Sequence, residues 1–149
     1  VFTGWHKDFV SPLVFENVPS FRAVTRVVGF SRINSEEPQL SADTFRDELV
    51  GLFVSTASPE RIRAGLDASI CFFVARRDHH MWVEKEVQSI SDRAKSKGAN
   101  VLLTTGKDSV KLAGITTSLP IYSIDIETEI LDIEELRKLI TFKPLSSSV

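Results

Sequence analysis

Residues 76–80, Arg-Arg-Asp-His-His, crowd two guanidiniums, a carboxylate and two imidazoles into one polar loop. His79 beside Asp78 has the makings of a general base or a charge-stabilising group, because imidazole titrates near neutrality and a neighbouring carboxylate can orient it. A solvated or capping histidine has the same sequence signature. Adjacent imidazoles point in different directions, and with no cysteine or third histidine nearby the pair makes a poor zinc site. A second polar stretch, Thr104–Asp108, carries Lys107 and Asp108, which could pair with each other at the start of a short helical turn. The lysine could instead reach a phosphate. A third stretch, Ser55–Ser58, runs into Ser58-Pro59-Glu60, with a capping hydroxyl, proline at the first helical position and an acid in the first turn. A helix cap is the simplest role for Ser58, although the same free N–H groups could cradle a phosphate.

These side chains can act together only if the intervening elements bring their loops to one place. Leu49–Val54, Ser69–Ala75 and Val101–Thr105 are short apolar runs without alternation, the pattern of strands buried on both faces. Between them the spacing predicts a helix over Pro59–Leu66, with Ile62 and Leu66 on one face. A second helix places Val83, Val87, Ile90 and Ala94 at i, i+4, i+7 and i+11 and stops at Gly98. Pro120–Ile126 reads as a last strand, and Asp132–Thr141 as a helix with Ile133, Leu136 and Ile140 inward. Upstream, Phe21–Phe30 favours a strand ending near Gly29. Ser41–Glu48 reads as a short helix, with Leu40 and Phe45 as packing residues. Alternating strands and helices imply an α/β fold, a three-layer α/β/α sandwich of Rossmann-like type with a mostly parallel sheet. Ligands of such sheets bind beyond the carboxyl ends of the strands, so the three polar stretches should line one edge.

The chain has 149 residues, 42% hydrophobic and 26% charged, which suits one globular domain and excludes a disordered or disulfide-dense chain. The expected division is an amino-terminal extension or connector over 1–20, an α/β domain over 21–141 and a tail over 142–149. Trp5, Phe9, Val10, Leu13, Val14 and Phe15 show no sustained period, and Pro12 and Pro19 break any long helix. Eighteen Lys and Arg against twenty Asp and Glu give a net charge of −2, so no global field favours nucleic acid. Cys71, flanked by Ile70 and Phe72, reads as core and a poor nucleophile. No apolar run approaches the roughly 20 residues of a membrane span, and no signal peptide is visible. The one methionine is Met81 and the chain starts at Val1, so it reads as trimmed, processed or cut from something longer.

The absences narrow the chemistry further. Gly106-Lys107 is not a Walker A loop, since position 101 is Val and position 108 is Asp. None of the seven glycines forms Gly-x-Gly-x-x-Gly, and no Gly-x-Ser-x-Gly elbow occurs. The chain carries part of a site and no complete catalytic apparatus.

Asp78-His79-His80-Met81-Trp82, then Glu86, Ile90 and Ala94, then the run Gly98–Leu112 with Thr104-Thr105-Gly106-Lys107-Asp108 at its centre, resemble the carboxyl-terminal half of the tetraacyldisaccharide 4'-kinase family, the lipid A kinases of Gram-negative envelopes. Phe53–Arg61 resembles that family's strand-loop-helix, and Leu119–Tyr122 its final strand. The likeness covers roughly residues 21–140. Where the family has Thr-Glu-Lys-Asp, Gly106 replaces the Glu here, and Ser55 and Ala57 stand where its first loop has glycines. The resemblance implies transfer of phosphate from ATP, with Mg2+, to the 4'-hydroxyl of a lipid-linked disaccharide 1-phosphate at the cytoplasmic face of the bacterial inner membrane. It implies two lobes. The amino-terminal one carries the P-loop, metal-holding acids, a catalytic Asp and any peripheral membrane contact, and holds most of the ATP and Mg2+. The carboxyl-terminal one contributes His79, with Asp78 fixing its loop and Lys107, Asp108, Thr105 and Ser58 bordering the nucleotide. A lobe without the P-loop should be inactive. A stand-alone Rossmann-like module for a nucleotide or sugar phosphate, and a purely structural domain, are the alternatives.

Overall fold

A computed structural model of the chain describes residues 2–4, as backbone, and 19–140. The apolar stretch Trp5–Phe15 and the serine tail lie outside the described residues. The strands are β1 (Phe2–Gly4), β2 (Arg22–Arg32), β3 (Leu40–Ser41), β4 (Leu49–Ser55), β5 (Ser69–Arg76), β6 (Val101–Thr105) and β7 (Ile121–Ile130), and from β4 onward they alternate with helices. The helices are α1 (Pro59–Ala64), α2 (Glu84–Ser96), α3 (Gly106–Ser109) and α4 (Ile133–Ile140). Two compact units result, one of residues 27–127 and one of residues 1–26 with 128–149.

In the first unit the strand order is β2-β7-β6-β4-β5, with β3 on β2. β4 runs parallel to β5 and β6, and β6 parallel to β7. β3 is antiparallel to β2. The two faces of β4 feed different cores. Phe53 packs with Leu102, Trp82 and the Val87, Ile90 and Ala94 face of α2. Val50, Leu52 and Val54 pack with Leu103, Phe45, and Ile62 and Leu66 at and beyond α1. Both faces of β4 and β6 are therefore covered, which is why these strands needed no polar alternation. Complete burial of Phe53 or Leu102 contributes about 1.5–3 kcal/mol each.

The helix α2 ends as its sequence demands. Gly98 takes φ +91° just after it, a left-handed conformation that costs glycine little. Gly51 answers a different need, close approach: a Cβ there would lie 2.7 Å from Leu102 Cδ2 and 2.9 Å from Ala94 Cβ. Gly51→Ala should therefore overpack the α2 face and cost about 1–3 kcal/mol. It would be read as a lower urea midpoint at constant m.

Several expectations are corrected. Residues 42–47 form successive turns rather than a helix, with Thr44 N–H to Ser41 O, Arg46 N–H to Asp43 O and Glu48 N–H to Phe45 O. Asp and Thr in this stretch compete locally for backbone groups and do not propagate a helix. Phe45 still packs, edge-on to Phe30 at 4.8 Å and Tyr122 at 5.1 Å. β2 continues past Gly29 to Arg32, because Gly29 and Phe30 pair with β3. β5 is the last strand of the sheet and only half-buried. Its apolar run is instead covered by arginines, Arg93 over Phe72 at 5.1 Å and Arg63 over Phe73 at 5.5 Å. Cys71 is likewise half-buried, its Sγ 3.5 Å from Val50 O.

In the second unit β1 runs parallel to the start of β2. Arg22 donates to Asp132 from its backbone N–H (2.8 Å), Nε (3.1 Å) and Nη2 (2.7 Å). The side-chain bonds from Arg22 lead in pulling the Asp132 carboxyl down to about 2. No residue of α4 is buried, and Ile133 and Ile140 are exposed. Periodicity told which α4 residues share a face, and nothing about whether a partner covers it.

Candidate functional site at the carboxyl edge of the sheet

β4 lies between β5 and β6, so the segments that follow all three emerge side by side. The loop after β5 begins with a four-residue turn closed by His80 N–H to Arg77 O at 3.2 Å. His79, third in that turn, takes φ 64°, as turns with a left-handed third residue require. The turn tips the His79 imidazole into solvent, where its side chain is 83% exposed. Asp78 accepts the His79 backbone N–H at 3.1 Å and also pairs with Lys107 of α3. The His79 Nε2 stands 3.6 Å from Asp78 Oδ2. The Lys107 hydrogen bond, ahead of the other influences, holds the Asp78 carboxyl below its usual value. The result is an ammonium, a carboxylate and an imidazole grouped on one water-facing edge.

Beneath them sits a second carboxylate, fully buried. Asp108 accepts the Ser55 N–H at 2.7 Å, the Ser55 hydroxyl, the Thr105 hydroxyl at 3.1 Å and Lys111 Nζ at 3.1 Å. Burial pushes its pKa up, but the Ser55 bonds and then Lys111 outweigh that and leave it lowered. The Trp82 indole N–H is buried without a well-formed hydrogen bond, and its dipole adds a weaker downward pull. Lys111 also donates to Ser55 Oγ at 3.3 Å and His80 O at 2.9 Å. One ammonium thereby ties the end of β4, the loop after β5 and the segment after α3 into a single floor.

A third cluster anchors the same loop to α2. Glu86 accepts from Arg76 Nε at 2.9 Å and pairs with His80 Nε2 at 2.7 Å. Burial raises the Glu86 pKa, and the His80 and Arg76 bonds more than reverse this. The His80 ring meets Trp82 edge-on at 4.7 Å, and Trp82 meets Phe53 at 5.0 Å. His80 is thus a packing and pairing residue, while its neighbour His79 faces solvent.

A protein-family comparison matches residues 7–143 to LpxK, the tetraacyldisaccharide-1-P 4'-kinases. The chain belongs to the tetraacyldisaccharide 4'-kinase family. Its relatives include the tetraacyldisaccharide 4'-kinases of Geobacter sulfurreducens, 34% identical over 82% of this chain and 35% of that protein, and of Geobacter metallireducens, 29% over 87% and 39%. That of Desulfotalea psychrophila is 36% identical over 56% of this chain and 25% of its own length. The chain thus spans a quarter to two-fifths of the curated relatives it matches. Among solved structures, that of LpxK from Aquifex aeolicus in complex with ATP shares the fold, with TM-score 0.50 and 21% identity over 86% of this chain and 37% of that one.

Of the residues that the likeness to the 4'-kinase family singled out, Asp78, His79 and Lys107 gather at the edge, and Thr105 and Asp108 lie directly below. Lys107 and Asp108 do not pair with each other. They are the two middle residues of the one-turn helix α3, which turns Lys107 outward to Asp78 and Asp108 inward to Lys111. Thr105 caps α3, its hydroxyl accepting the Asp108 N–H at 3.2 Å. Ser58 is exposed, precedes α1 and makes no side-chain cap bond, so the expected capping hydroxyl is not used. Pro59 already removes one of the N–H groups a cap would serve. Gly106, where the family pattern has Glu, has room for a side chain, since a Cβ would sit 3.6 Å from Ser123 Oγ. The sequence placed Ser55 only within a polar stretch at the sheet edge, and gave Lys111 no role. The i, i+3 spacing of Asp108 and Lys111 was the available signal.

Proposed function

We propose that residues 21–141 form the carboxyl-terminal lobe of an ATP-dependent kinase that phosphorylates the 4'-hydroxyl of tetraacyldisaccharide 1-phosphate in lipid A biosynthesis. The grouping of His79, Asp78 and Lys107 at the carboxyl ends of the strands carries this reading, together with membership of the family. In the transfer, the acceptor hydroxyl oxygen attacks the γ-phosphorus, the bond to the β-phosphate oxygen breaks, and the hydroxyl proton must leave. His79 is the group that takes or relays that proton, alone or through an acid of the opposite lobe. Its exposure suits it to reach across a cleft. Asp78 is a positioning residue that holds the His79 turn and aims Lys107. Lys107 balances negative charge on the nucleotide. Thr105 and Asp108 set where α3 presents that lysine.

Among the described residues no group of three His, Cys, Asp or Glu side chains is arranged to hold a metal ion. The nearest carboxylates are already committed, Asp78 to Lys107 and Asp108 to Ser55 and Lys111. We therefore assign Mg2+, and the phosphate cradle, to parts of the protein outside this chain. No helix among the described residues is long and apolar enough to cross a membrane. Residence at the cytoplasmic face of the inner membrane follows from the family reading alone.

The direct test compares the 149-residue chain with the complete gene product, each given ATP, Mg2+ and the lipid acceptor. Product is expected from the complete protein only. Turnover by the 149-residue chain alone would overturn the assignment of the phosphate cradle to another lobe.

A further inference from the structure

A groove of about 380 Å³ lies on the sheet over β2 and β7, apart from the His79 cluster. Ser31, Ser123 and Asp125 line it from the strands, and Ser109, Val110 and Ala113 from the segment that follows Lys107 and Asp108. Ser123 and Asp125 are two apart on β7, so both face the groove, roughly 7 Å apart along the strand. Asp125 Oδ2 is held by Ser31 Oγ at 2.6 Å and Gln39 Nε2 at 2.7 Å. These two bonds fix the carboxylate and leave Oδ1 without a hydrogen-bond donor among the described residues. Ser123 is 7% exposed, yet its hydroxyl has no hydrogen-bond partner among the described residues. Gly106, with no side chain to cover it, leaves that hydroxyl open from the α3 side.

A pre-aimed carboxylate oxygen and a free hydroxyl face an aliphatic wall of Val110, 77% exposed, and Ala113. Few fixed polar groups against apolar surface is how pockets orient small ligands. The charge decides the ligand class. Arg32 also lines the groove, but its guanidinium is paired with Glu37 at 2.9 Å. A phosphate would therefore meet Asp125 as a like charge, whereas a sugar hydroxyl or amide donates to it. The apolar face of a pyranose ring would cover Val110 and Ala113.

We propose that this groove is a subsite for one pyranose ring of the acceptor, bound through Asp125 Oδ1 and Ser123 Oγ. The proposal rests on the kinase reading above and assigns the acceptor sugar to a place that the nucleotide does not use. Lys107 and Ser109 belong to the same short helix α3, so one element presents the lysine on one side and a wall of the groove on another.

The test uses the complete gene product carrying Ser123→Ala, which removes one donor–acceptor group, or Ala113→Trp, which fills the groove. Thermal melts confirm that each variant is folded. The KM for the disaccharide 1-phosphate should rise about tenfold, the scale of one lost hydrogen bond, with kcat and the KM for ATP unchanged. An acceptor KM within twofold of wild type in both variants, or an equal rise in the KM for ATP, would overturn the proposal. If the wild-type protein transfers no phosphate, the kinase reading fails, and saturation-transfer NMR with di-N-acetylchitobiose decides the groove separately. Ring-proton signals lost in Ala113→Trp support the subsite. No signal in the wild type, or the same signal in the variant, refutes it.

Discussion

On the proposed kinase reading, replacing His79 with alanine in the complete gene product is expected to cut kcat by about 10²–10⁴-fold, the range for losing a positioned proton-transfer group. Stability should barely change, because the imidazole is 83% exposed and its approach to Asp78, at 3.6 Å, is a surface contact. The KM for ATP should stay close to wild type, since Lys107 and its partner Asp78 remain in place. Steady-state kinetics with a thermal melt on the same preparation separate these outcomes. An unchanged kcat would remove His79 from the mechanism. A fall in kcat accompanied by a large drop in melting temperature would mean that the turn at residues 77–80 had been disturbed, and that the loss was structural.

Asp108→Ala is the second large effect, and it acts on stability. The carboxylate is fully buried and meets Ser55, Thr105 and Lys111. Deleting it strands the Lys111 ammonium, 15% exposed, beside unsatisfied Ser55 groups. Breaking such a buried pair costs about 3–5 kcal/mol, or roughly 6–20 °C in melting temperature for a chain of this size. Replacing both partners, Asp108→Leu with Lys111→Met, should recover most of that loss, because an apolar pair leaves no orphan charge. Failure of the double variant to recover would place the cost in Ser55 and the end of β4.

The same carboxylate makes a pH prediction whose sign follows from its lowered pKa. A carboxyl that titrates lower in the folded state stabilises that state at pH above its unfolded value. The contribution fades as pH falls from about 4 through the folded value. Acid titration of the wild type should therefore show a larger loss of stability in that window than the double variant, in which Asp78, Glu86 and Asp132 still contribute.

Much of the architecture was legible because burial on two faces leaves an unmistakable residue pattern. Leu49–Val54 and Val101–Thr105 are strands within a residue of their expected ends, and Val87, Ile90 and Ala94 do face the sheet. The polar loops could be assigned to one edge for the same reason, since parallel strands return their carboxyl ends to the same side. The weaker readings share a cause. Residues 42–47, half-covered β5 and uncovered α4 all carry apolar patterns whose outcome depends on what lies opposite. Local propensity has no access to that information.

Residue types and order alone determined that this chain is an α/β sandwich whose Asp78-His79 pair and Lys107 lie on the carboxyl edge of a parallel sheet. They also showed that it carries no Walker A motif. Tertiary structure decided the partners. Lys107 pairs across 29 positions with Asp78, while Asp108, one residue on, turns the opposite way into a buried network with Ser55. Adjacent side chains on a one-turn helix diverge by about 100°, so one faces water and the other the core. Which of the two serves a ligand depends on the strand that lies underneath, and that is a property of the folded sheet.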